Sequence, residues 1–217
     1  MIKSKLALSG SVIILGVCMY LFFPFPNNVM IGARTTFMSF PVYDQDGYSL
    51  LGIIGSVLFV IAMVLLVMGI KKYHFRTVLI VAIVYALLPN LLVSMYQETF
   101  ASGIAAVSYG GDGKCSFETV AGSTSDGECT LELKNRSNEA VSFKLEFIDS
   151  YPLEDGTQME SLMNLAGPFS ISIKANDSTS IHLKELLDVS DVPRHVENGT
   201  FSKVHIKLID GDTSRTL

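Results

Sequence analysis

The chain has 217 residues, 49% of them hydrophobic, no Trp and a formal net charge of −5. Those figures exclude a disordered polar chain, which lacks the apolar residues for a core, and a basic nucleic-acid-binding protein, which carries the opposite charge. The charge is unevenly placed. Residues 1–100 hold six Lys/Arg against three Asp/Glu, a net of +3, and residues 101–217 hold ten against eighteen, a net of −8.

Three runs in the first part contain no Asp, Glu, Lys, Arg or His: Leu6–Phe23, Leu50–Ile70 and Thr77–Tyr96, of 18, 21 and 20 residues. A helix rising 1.5 Å per residue needs about 20 apolar residues to cross the hydrocarbon core, so each run is a transmembrane candidate. The first is longer than a signal-peptide core, and Pro24-Phe25-Pro26-Asn27-Asn28 behind it offers no small-x-small cleavage site. A lipoprotein reading of Leu15-Gly16-Val17-Cys18 fails because Val17 stands where a small residue is needed. An uncleaved anchor is expected.

Basic residues in the short flanks set the expected orientation. Lys3 and Lys5 precede the first run, and Lys71, Lys72 and Arg76 fill the turn between the second and third; the 24–49 loop has only Arg34. Excess Lys and Arg stays cytoplasmic. The expected placement is a plasma-membrane protein with its N-terminus inside, loop 24–49 outside, and everything from about Gln97 onward extracytoplasmic.

The runs carry no ionisable group at membrane depth, which argues against an autonomous conductor or proton relay. Asn90, behind Pro89, is their notable polar residue, and Pro89 is expected to kink the third helix. Small residues recur at packing intervals: Gly55, Ala62 and Gly69 every seven residues in the second run, Ala82 and Ala86 four apart in the third. Small side chains let helices approach closely in lipid. The short connection between runs two and three predicts that these two form a tight antiparallel hairpin.

The external loop is too apolar for a free linker, with Met30, Ile31, Phe37, Met38, Phe40, Val42, Tyr43 and Tyr48. Asp44-Gln45-Asp46-Gly47 starts like a calcium loop but lacks the later acidic ligands, and a turn is expected there.

Residues 101–217 read as an antiparallel β domain. Period-2 alternation marks strands at Cys129–Lys134, Val141–Phe147, Phe169–Lys174, Ser180–Lys184 and Lys203–Leu208, with further strands near Ile104–Tyr109 and Lys114–Val120. The connections, Asn135-Arg136-Ser137-Asn138-Glu139, Ala175-Asn176-Asp177-Ser178 and Glu197-Asn198-Gly199-Thr200, are turn-rich. About seven short strands at that density predict a two-sheet sandwich. Two insertions interrupt it: residues 157–166, with Met159, Leu162, Met163 and Leu165 at helical spacing, and residues 186–196, with a short helix or turn. Cys115 and Cys129 lie fourteen positions apart on the oxidising side, a hairpin-length separation that predicts a disulfide, whereas Cys18 lies within the membrane.

This order of strands and turns resembles bacterial extracytoplasmic immunoglobulin-like modules, over about 85 residues and through patterning rather than an invariant motif. The antibody-type Cys…Trp…Cys spacing is absent, so the resemblance implies only the sandwich architecture and a role in binding or spacing other proteins. The expected fold class is thus a membrane α+β protein: three transmembrane helices in residues 1–100, then a C-terminal Ig-like sandwich.

His182 and His205 alternate with apolar neighbours and are expected on wet faces; no His-x-x-x-His, Gly-x-Ser-x-Gly or phosphate-cradling glycine loop is present. Neither enzyme activity, nor a cofactor, a metal, a nucleic acid or a small-molecule substrate is expected. The expected partners are the lipid bilayer and another membrane or envelope protein, with the chain an accessory subunit or, alternatively, a sensor or transport-complex subunit. Phe37, Met38 and Phe40 with Met159, Leu162 and Met163 are the expected contact residues; the alternative is that the loop lies on the headgroups or packs under the domain as a collar. Asn135, Asn176 and Asn198 are formal glycosylation acceptors that also suit turns.

Overall fold

In the computed structural model the described residues are 2–21, 23, 43–44, 47–48, 50–150 and 156–217. They fall into two compact units that divide between Ser94 and Met95.

The first unit contains α1 (Lys5–Leu21), α2 (Leu50–Gly69) and most of α3 (His74–Thr99), with a small ladder of β1 (Tyr43–Asp44) on β2 (Gly47–Tyr48). By length and composition α2 and α3 can each cross a membrane; α1, at 17 residues, is shorter. In the β1–β2 ladder Asp44 pairs with Gly47 and Tyr43 with Tyr48. α3 continues as a helix through Pro89.

One seam organises this unit. Gly52, Gly55, Phe59, Ala62, Leu66 and Gly69 are the buried positions of α2, spaced alternately three and four residues apart. They meet α1, whose buried positions include Ala7, Ser11 and Cys18. The Ser11 hydroxyl donates to the Ala62 carbonyl at 2.7 Å, and a Cβ added to Gly69 would lie 3.0 Å from the Leu8 nitrogen. The small-residue face of α2 is therefore used, but against α1 and not, as the short connection suggests, mainly against α3. The physical reason is matched size: α1 presents Ala7, Gly10 and Ser11, whereas α3 reaches the pair through Tyr85, whose ring lies 5.3 Å from that of Phe59. On α3 itself Ala82 is buried and Ala86 half-buried.

The second unit is β-rich. A 3-10 turn (Gly103–Ala106) leads into β3 (Val107–Tyr109), β4 (Lys114–Ala121), β5 (Thr124–Asn135) and β6 (Val141–Ile148). A second 3-10 turn (Glu160–Leu165) precedes β7 (Phe169–Ile173) and β8 (Ser178–Asp188). β9 (Asn198–Ser202), β10 (His205–Asp210) and β11 (Thr213–Thr216) follow. All pairings between these strands are antiparallel. One sheet runs β11-β10-β6-β7. In the other, β5 takes β8 along one side and β3 and β4 end to end along the other, with β9 outside β4.

Alternation drives the burial. β6 buries Val141, Phe143, Leu145 and Phe147 and turns Ser142 and Lys144 outward; β5 and β10 alternate likewise. Buried residues of both sheets join a single hydrophobic cluster, from Phe117 and Leu131 in one to Leu145 and Ile206 in the other. Cys115 and Cys129 stand directly opposite on β4 and β5 and form a disulfide, with their Cα atoms 4.1 Å apart. Closing a loop of this length stabilises the fold by about 3 kcal/mol on the chain-entropy model.

Among the described residues of this unit nine strands stand where about seven were expected. β9 begins at Asn198-Gly199, a turn pair by composition, and β11 is Thr-Ser-Arg-Thr, with no alternation of apolar residues to announce it. Ile104 lies in the first 3-10 turn rather than a strand. β8 extends to Asp188, through the start of the segment expected to be a helix or turn.

Candidate functional site

β8 is the longest edge in the domain. Its eleven residues pair with β5 from Thr124↔Asp188 to Lys134↔Ser178, and among the described residues no strand pairs with its other side. The other edge strands, β3, β7, β9 and β11, have three, five, five and four residues. Unpaired N–H and C=O groups along an edge are a template for one more strand. β8 holds its place in the sheet by burying Ile181 and Leu187, while Leu186 stays 68% exposed.

Charges cover the outward face beside this edge. Lys184 reaches back over β5 to Asp126 (3.1 Å) and Glu128 (3.4 Å), and His182 lies 2.8 Å from Glu128. The hydrogen bond from His182, followed by that from Lys184, holds the Glu128 carboxyl below its ordinary pKa; Asp126 and then Glu128 push Lys184 above its own. His182 and Lys184 are exposed and Asp126 and Glu128 half-buried at the surface, so the ladder sets charge pattern more than stability. A lysine in mid-edge ordinarily repels an incoming strand. Here its ammonium is drawn inward over the sheet.

Residues 156–166 are a plug. Met159 is 6% exposed, and Leu162 and Met163 are fully buried, the last two within the core cluster; Leu165 alone of the four is exposed. This corrects the expectation of a Met-rich docking surface. Three polar side chains pin the segment to the end of β6. Asp149 accepts from the Met159 and Ser161 nitrogens and the Ser161 hydroxyl. Asn164 exchanges a pair of 2.8 Å bonds with the Phe147 backbone, and the buried Glu160 carboxylate accepts from the Ser150 hydroxyl at 2.6 Å. The plug also explains Gly127 in β5, where an added Cβ would lie 2.8 Å from the Met163 sulfur. Phe37, Met38 and Phe40, the other half of the expected contact, lie outside the described residues.

Asn135, a formal glycosylation acceptor, is fully buried at the end of β5. Its amide donates to the carbonyls of Glu139 (2.7 Å), Lys174 (3.0 Å) and Ile173 (3.4 Å), and its Oδ1 accepts from the Ser137 nitrogen (3.0 Å) and hydroxyl (2.8 Å). It is the knot of the β5–β6 turn. Asn176 and Asn198 are exposed. His182 is on a wet face as expected; His205 is half-buried instead, and burial pushes its pKa below the ordinary value. Among the described residues no three His, Cys, Asp or Glu side chains cluster as a metal site.

Two buried polar groups had no sequence signal. Arg215, in the all-polar β11, donates to the carbonyls of Ile104, Ala105 and Val107 at 2.6–3.0 Å, and burial lowers its pKa to about 10. Gln97 donates to the carbonyls of Ala105 and Val107 at 3.1 Å, and Glu98 pairs with Arg136 at 2.7 Å, so the last turn of α3 is bonded to the residues that open the β domain and to the β5–β6 turn.

No family model, curated protein or solved structure matches this chain.

Proposed function

We propose that the chain is a non-enzymatic plasma-membrane protein whose three helices hold an extracytoplasmic Ig-like sandwich, which binds another membrane or envelope protein as an accessory subunit. The α1–α2 seam supports counting α1 as a membrane helix, because its small-residue packing is of the kind that associates helices in lipid. The strand order supports the Ig-like reading. The β3/β4 edge, β5 and β8 occupy one sheet, and β6, β10 and β11, extended by β7, occupy the other, as the A-B-E and C-F-G strands divide in such folds.

The observation that carries the binding role is the unshared side of β8. An extended segment of the partner would add to it as one more strand, with main-chain hydrogen bonds supplying affinity and alternate side chains specificity. Asp126, Glu128 and Glu132 on the neighbouring strand, with Glu185 and Asp188 on β8 itself, favour a segment carrying Lys or Arg.

A second reading, a sensor or transport-complex subunit acting through a partner, is favoured by Gln97 and Glu98. Their bonds, from Gln97 to the first residues of the β domain and from Glu98 to Arg136 in the β5–β6 turn, would carry a load from a docked partner to the end of α3.

The edge is tested by co-purification of the full-length chain in mild detergent. Reversing Glu185 and Asp188 to Lys should lower the recovered partner about tenfold or more, equivalent to ~1.4 kcal/mol, and lower domain melting only by the loss of the exposed Asp188–Ser190 hydrogen bond. Glu146→Lys, on the opposite sheet, should lose nothing. Equal losses from both variants would remove β8 from the interface.

A further inference from the structure

Asn90 places an amide inside the apolar run of α3. It is exposed on the helix surface, its side-chain amide is bonded to no described residue, and it lies inside the apolar run 77–96, six residues before its end. Pro89 beside it has no N–H to return to the Tyr85 carbonyl, one turn earlier. In lipid such groups have no water to satisfy them.

Asn90 also occupies a defined place in a repeat. Leu79, Ile83, Ala86, Asn90 and Val93 are spaced four, three, four and three residues apart, which puts them on one stripe of the helix. The stripe is open: Leu79 is 47% and Ile83 45% exposed, Asn90 is exposed, and Ala86 and Val93 are half-buried. α3 as a whole buries only 6% of its apolar window, against 33% for α2.

We propose that this stripe pairs with the same stripe of a second copy of the chain, in a parallel α3–α3 contact joined by reciprocal Asn90–Asn90 hydrogen bonds. The inference rests on the proposed membrane reading of α3. The occupant follows from symmetry. Every copy inserts with one topology, so two α3 helices side by side are parallel and carry Asn90 at the same depth. An amide is both donor and acceptor, so it satisfies its own twin across a two-fold axis. An Asn in the core repeat of paired helices fixes register and a two-stranded state, and Ala86, one turn before, lets the backbones approach.

The test is oxidative cross-linking of the full-length chain in its native membranes, in a Cys18→Ser background. Ile83→Cys lies on the stripe and keeps Asn90; Leu92→Cys lies on the opposite side of α3. Ile83→Cys should give a species of twice the chain mass, Leu92→Cys little, and adding Asn90→Leu to Ile83→Cys should cut the yield roughly five-fold or more, as expected for an interhelical hydrogen bond of about 1 kcal/mol. Equal yields from the two cysteines, a yield indifferent to Asn90→Leu, or capture of a different protein at position 83 would each overturn the proposal. A carbonate wash separates the two ways of failing. A chain that leaves the membrane pellet refutes the membrane reading and the pairing together, whereas a chain that stays without cross-linking refutes the pairing alone.

Discussion

Leu162→Ala should destabilise the β domain by about 3 kcal/mol, within the range for emptying a closed core position. The side chain is fully buried in the core cluster, and its segment is pinned by Asp149 and Asn164, so the surroundings cannot collapse freely into the space. Leu165, three residues on and 47% exposed, is the control, and its replacement by Ala should cost no more than about 1 kcal/mol. Urea unfolding of the full-length chain in detergent, followed by protease susceptibility, measures both. Similar midpoints for the two variants would mean that residues 156–166 are a surface segment after all.

Asn135→Ala should cost at least as much, about 3 kcal/mol or more. The amide's protons are shared over three carbonyls, and its oxygen takes two donors from Ser137. Alanine leaves several of these groups buried and unpaired, at roughly 1–3 kcal/mol for each that finds no water. Asn138→Ala, in the same turn but exposed, should shift stability by less than about 0.5 kcal/mol. The same urea midpoints decide the matter. An Asn135→Ala domain as stable as wild type would show that the knot contributes nothing.

The parts legible in the sequence were those written in local periodicity. The run 50–70 became α2 almost to the residue, and the alternation of Val141–Phe147 became β6 with its expected face inward. The Cys115–Cys129 hairpin was also readable, since its spacing and the turn between constrain each other. What failed depended on partners distant in the chain. The helical spacing of Met159, Leu162 and Met163 is the same whether the segment lies on a surface or in a core; Asp149, Asn164 and the space above Gly127 decide it. The small residues of α2 could not say which helix they meet, because that depends on the matching residues Ala7 and Ser11 of α1. For β8, the consecutive Lys184 and Glu185 hid the strand's second half. Its status as an edge is a property of the whole sheet and is written in no local pattern.

Anchored display of the β domain outside the membrane is the claim on which the rest depends, and cysteine labelling measures it most directly. In a Cys18→Ser background, single cysteines replace Lys72, exposed in the turn before α3, or Asp212, exposed between β10 and β11. With a membrane-impermeant maleimide on intact cells, position 212 should label fully, and position 72 only after permeabilisation. Labelling of position 72 in intact cells, with position 212 protected, would contradict the account.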